Sequence, residues 1–132
     1  MARILIVEDV AELREELRRA VDAEHDVFGA ASAAEASSFL HSSAVDLVIT
    51  AMVLETGDYT DGLGVVRSVT ARNPAARAIV VTSYSTPEMC VKAIRAGVFD
   101  YIERNSPGIN FFEVLRWKIR LAVHSAAPAA AS

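Results

Sequence analysis

At 132 residues the chain has the length of one domain with a sizeable core. Hydrophobic content of 52% and charged content of 23% exclude wholesale disorder, and a net charge of −4 argues against nucleic acid as the domain's partner. The one cysteine, Cys90, excludes an internal disulfide and reads as a small apolar residue of a helix.

Arg3-Ile-Leu-Ile-Val7 is a compact apolar run ending at the acids Glu8 and Asp9, which predicts a buried strand opening onto two carboxylates. Val10, Leu13, Leu17, Ala20 and Val21 then follow a helical period, with Glu15 and Arg19 paired on the polar side. His25 to Ala30 reads as a short strand. Ser32 with Glu35 three residues on has the form of a capping box for a helix to about Leu40. Val45 to Thr50 is a mostly apolar strand, and Ala51 stands at its end.

A polar loop, Glu55 to Gly62, leads into a helix with Leu63, Val66, Val69 and Thr70 that stops at Asn73-Pro74. Ala78 to Ser83 is a fourth strand closing on Thr82 and Ser83. Thr86-Pro87-Glu88 starts a helix that ends at Gly97, a C-terminal glycine with positive φ. Val98 to Ile102 is the fifth strand, followed by Glu103, Arg104 and Asn105. The last helix is expected from Pro107 to His124, with Phe112, Leu115, Ile119 and Val123 inward. A second apolar line at Val114, Trp117 and Leu121 suggests a partner or dimer surface. Residues 1–124 form the domain, and 125–132 are read as a flexible alanine-rich tail.

The start runs straight into a strand, leaving no room for a signal peptide. No apolar run approaches the roughly 18 residues of a membrane span, so a soluble cytoplasmic protein with no membrane partner is expected. Five alternating strands and helices imply an α/β, flavodoxin-like doubly wound (βα)5 sandwich with parallel order 2-1-3-4-5. Ligands bind beyond the carboxyl ends of such strands, where Glu8, Asp9, Ala51, Thr82, Ser83 and Arg104 converge. Adjacent acids suit Mg²⁺, and a hydroxyl and a base beside it are parts of a phosphoryl-transfer site. The nucleophile is missing. Asp58 and Asp61 read as turn acids, and His25, His41 and His124 are scattered singly without metal-ligand spacing.

These motifs resemble the receiver domains of bacterial two-component response regulators, over about residues 3–123. Ile-Leu-Ile-Val-Glu8-Asp9 is similar to the family's first strand and acidic pair. Asp46-Leu-Val-Ile-Thr-Ala51 matches its third strand, whose last position is normally the phosphoacceptor aspartate. Val80-Val-Thr82-Ser83 resembles the fourth strand with its switch hydroxyl. Tyr101-Ile-Glu-Arg104 resembles a switch aromatic followed by a lysine.

The resemblance implies a phosphorelay domain with no enzymatic activity. Its metal site would be Glu8 and Asp9 with the backbone of Val53, weakened by Ala51, and its switch residues Thr82, Tyr101 and Arg104. Partners would be a sensor histidine kinase, a phosphotransfer protein or a downstream effector. Dimerisation would use the face of the fourth helix, fifth strand and fifth helix. Departures are Ala51 for the acceptor, Arg104 for lysine, Glu55 for a proline, and a longer loop. They leave two accounts, an Asp-to-Ala variant of a phosphorylatable receiver or a natural pseudo-receiver that docks partners. Without a carboxylate at position 51 the metal's place could instead be filled by Arg104 turned onto Glu8 or Asp9. A flavodoxin-type nucleotide- or flavin-binding enzyme is the alternative from another class, but the acidic first loop does not suit phosphate.

Overall fold

The computed structural model describes residues 1–54 and 60–131, with the side chains of Thr60 and 125–131 outside the description. Glu55 and Asp58 therefore lie outside the described residues.

Five strands alternate with five helices: β1 (Arg3–Val7), α1 (Ala11–Arg19), β2 (Asp26–Ala30), α2 (Ala33–Ser42), β3 (Leu47–Ala51), α3 (Thr60–Arg72), β4 (Arg77–Thr82), α4 (Pro87–Arg95), β5 (Asp100–Glu103) and α5 (Phe111–Ala131). The sheet is parallel throughout, in the order β2-β1-β3-β4-β5. The expected flavodoxin-like order is therefore the observed one.

Side chains alternate across the pleat, so each apolar strand feeds two cores. Leu5, Val7, Val48, Ala78 and Val80 face one layer with Leu63, Val66 and Val69 of α3. Ile4, Ile6, Leu47, Ile49, Ile79 and Val81 face the other with Leu17 of α1 and Leu115 and Ile119 of α5.

Local chemistry sets the helix ends. The Ser32 hydroxyl accepts the Glu35 N–H at 3.0 Å, while the Glu35 carboxylate reaches the Ala31 N–H rather than that of Ser32. Thr86 caps α4 through the Met89 N–H at 3.2 Å, and Gly97 has φ 82° as anticipated. The start of α5 differs from expectation. Pro107 and Gly108 form a turn, with Gly108 at φ 76°, and Asn110 caps the helix through the Glu113 N–H at 3.1 Å. On α4 the buried side chains are Met89 and Ala93, which leaves Val91 and Ile94 exposed.

The predicted apolar line on α5 divides. Val114 packs into the second core, whereas Trp117, 57% exposed, and Leu121 face outward. Among the described residues no helix is long and apolar enough to cross a membrane.

Candidate functional site

Parallel pairing brings the carboxyl ends of the three central strands level. Val7 pairs with Thr50, and Ala51 pairs with Val81. Beyond these ends lies a cleft of about 510 Å³. Glu8, Asp9, Thr82 and Ser83 supply its polar lining; Val10, Leu13, Ala51, Val53, Tyr84 and Met89 form its apolar walls. Of the strand-end residues expected to converge, Glu8, Asp9, Ala51, Thr82 and Ser83 line this one cleft, and Arg104 does not. The Ala51 methyl is 7% exposed and belongs to the first core. It offers the cleft no oxygen.

Glu8 is fixed by the sheet. Its backbone N–H donates to the Ala30 carbonyl at 3.0 Å, and its carbonyl accepts from Arg14 Nη1 at 2.7 Å. Only 6% of the residue is exposed, and its carboxylate accepts the Val10 N–H at 3.2 Å. Burial, then a hydrogen bond with Asp9, raises the Glu8 carboxyl from its usual 4.5 to about 7; the Val10 N–H and the Arg104 charge pull it the other way.

The folded state therefore binds the Glu8 proton more tightly than the unfolded chain, so this group's contribution to stability falls as pH rises from 4.5 towards 7. Glu8→Gln should remove that loss. In urea melts without divalent ions, its stability relative to wild type should rise between about pH 5 and pH 7, by at most about 3 kcal/mol. A pH-independent difference would contradict this ionisation.

Arg104 does not fill the place of a cation on Glu8 or Asp9. Its Nη1 pairs with Glu16 of α1, and the guanidinium lies 4.7 Å from the centre of the Phe111 ring. With the side chain 10% exposed, Nη2 has no hydrogen-bond partner among the described residues. The planar guanidinium takes instead a stacking surface and a carboxylate on a neighbouring helix. Glu16 and Phe111 were not foreseen, because the contact with Glu16 spans 88 residues of sequence.

Thr82 is buried, and its hydroxyl donates to the Tyr84 carbonyl at 2.6 Å while accepting the Tyr84 N–H at 3.2 Å. Its backbone carbonyl accepts the Arg104 N–H at 2.7 Å. Tyr101 is half-buried against the first core, its hydroxyl 2.7 Å from Ser85 Oγ; burial raises its pKa, and the Ser85 bond opposes that. Neither Tyr101 nor Arg104 lines the cleft. Asp61 lies in the first turn of α3, lining a separate groove with Ala33 and Ser37 of α2.

Asp22, Glu24 and His25 come together at the opposite end of the sheet, within 4.8 Å of one another. Asp22 is held by Arg116 and Arg120, and His25 Nδ1 accepts the Ala2 N–H at 2.9 Å. The pair of arginines makes this an ion-pair cluster. It holds the Asp22 carboxyl below its usual range, chiefly through the Arg120 hydrogen bond.

Comparison with known proteins agrees with this geometry. The putative response regulator NtrX-like of Rickettsia felis is 32% identical over 104 residues, covering 76% of this chain and 21% of the relative. The chain thus spans about a fifth of that relative's length. A CheY-like receiver domain protein from Methanospirillum hungatei superposes with TM-score 0.82 at 23% identity, covering 98% of both chains. NtrX from Brucella abortus superposes with TM-score 0.81 at 25% identity over 98% of this chain and 28% of the other. The model of the response regulator receiver domain matches residues 4–115. With its strand order, acidic pair and strand-end hydroxyl in place, the chain belongs to the response regulator receiver domain family.

Proposed function

We propose that this receiver is a docking module of a two-component phosphorelay that takes no phosphate at position 51. One observation carries the reading: the residue at the end of β3, facing the cleft with Glu8 and Asp9, is Ala51. A methyl group has no nucleophilic oxygen. The domain then acts through its surfaces, with a sensor histidine kinase, a phosphotransfer protein or an effector as partner, in the cytoplasm and without nucleic acid or catalysis of its own.

Glu8 and Asp9 both line the cleft, and two adjacent carboxylates, the Glu8 one buried and the Asp9 one exposed, suit a cation. Mg²⁺ would be held by their carboxylates with the backbone of Val53, weakly because a third carboxylate is lacking. It would supply charge neutralisation there. Thr82 and Tyr101 would be the switch residues, although the Thr82 hydroxyl is committed to its own loop. Arg104 ties β5 to α1 through Glu16. The flavin-binding alternative draws no support from the family match.

Reversion tests the reading. With acetyl phosphate and Mg²⁺, a phosphate-sized mass gain in Ala51→Asp alone supports it and favours a receiver that lost only its acceptor. No gain in either protein favours a pseudo-receiver with further lesions. A gain in the wild type would contradict the reading.

Exposed Ile94, Trp117 and Leu121 on α4 and α5 support a homodimer through the α4–β5–α5 face. Trp117→Glu is expected to shift the sedimenting species from dimer to monomer. Dimers of both proteins would exclude that face.

A further inference from the structure

The lining of the cleft is unusual in its balance. Among the described residues it includes two carboxylates, Glu8 and Asp9, and no basic side chain. Of the arginines on this side, Arg104 is committed to Glu16 and Phe111, and Arg14 donates to the Glu8 backbone carbonyl. At the mouth stand three exposed apolar side chains: Val10, Val53 and Tyr84, the last 74% exposed. An acidic end beside an apolar rim calls for an occupant with a cation and hydrocarbon together. A hydrated metal ion would answer the acids and leave the rim in water. A small amine held within the cleft would leave Tyr84 uncovered.

We propose that the cleft receives a lysine or arginine side chain of a partner protein, presented on a segment with apolar neighbours. The cationic head meets Asp9 and Glu8, the aliphatic stem passes the Ala51 methyl, and the flanking residues cover Val10, Val53 and Tyr84. An aspartate at position 51 would narrow this path, so the alanine both removes the acceptor and opens room for the stem. The inference rests on the docking reading and names the chemistry that the docked segment carries.

The probe is the peptide acetyl-Leu-Lys-Leu-amide, titrated into isotope-labelled protein in metal-free buffer and followed by amide chemical shifts. Shifts are expected at Val10, Val53 and Tyr84, with binding weakened about tenfold or more when lysine is replaced by norleucine or when the protein carries Asp9→Asn. Glu24→Gln, at the opposite end of the sheet, should bind as wild type, and Mg²⁺ should displace the peptide. Equal binding of the norleucine peptide would reduce the cleft to an apolar patch and overturn the proposal. Tighter binding of hexylamine than of the peptide would assign the site to a small molecule and overturn it too. No peptide shifts, together with an unchanged mass after acetyl phosphate, would overturn the occupant but leave the docking reading. A phosphate gain on the wild type would overturn the docking reading instead.

Discussion

Gly62→Ala is expected to destabilise the domain by about 3 kcal/mol, or to prevent folding. A Cβ at this position would sit 2.3 Å from the Ala51 carbonyl oxygen, 2.7 Å from that of Met52 and 2.8 Å from the Met52 Cα. All three are backbone atoms, so no side chain can rotate away. The Gly62 N–H also donates to the Met52 carbonyl at 3.1 Å, pinning the first turn of α3 to the end of β3. The glycine thus fixes the strand end on which Ala51 stands. Gly64 is the internal control, since a Cβ there meets nothing within 4 Å. Gly64→Ala should be neutral or stabilise by up to about 1 kcal/mol through helix propensity. Urea melts of the two variants should diverge in opposite directions; equal small changes would show that α3 can lift from β3.

The second large effect belongs to Ala51→Asp. The new carboxylate would stand in the cleft with Glu8 and Asp9, replacing a methyl that is almost wholly buried. Like charges brought together out of water repel, so in chelator the variant should lose about 2 kcal/mol relative to wild type. Mg²⁺ reverses the balance. A third carboxylate ligand should raise Mg²⁺ affinity about tenfold or more in titration calorimetry, and saturating Mg²⁺ should recover the lost stability. If Mg²⁺ bound both proteins alike, position 51 would not face the metal site.

Much of this was legible in the sequence because the strands are short apolar runs ending in chemically distinct residues. Arg3 to Val7 closes on Glu8-Asp9, Leu47 to Thr50 on Ala51, and Arg77 to Val81 on Thr82. The βα alternation with right-handed crossovers then leaves few orders, and 2-1-3-4-5 is the observed one. What failed depends on tertiary placement. Arg104 turned onto Glu8 or Asp9 was one of two outcomes left open, yet Glu16 and Phe111 together offer a pair and a stacking face that no local pattern reveals. Val10 fits the helical period of α1 but sits at its N-cap, exposed at the cleft mouth. At α5, Pro107 was read as a helix start. The signal that would have corrected it is Asn110 with Glu113 three residues on. The apolar rim of the cleft had no signature at all, because Val10, Val53 and Tyr84 come from three separate loops.

The central claim is that a recognisable receiver site lacks the group it would serve. Intact mass spectrometry of the wild-type chain after incubation with acetyl phosphate and Mg²⁺ tests it most directly. The expected result is an unchanged mass; a phosphate-sized gain mapping to Asp9, Asp58 or Asp61 would contradict it.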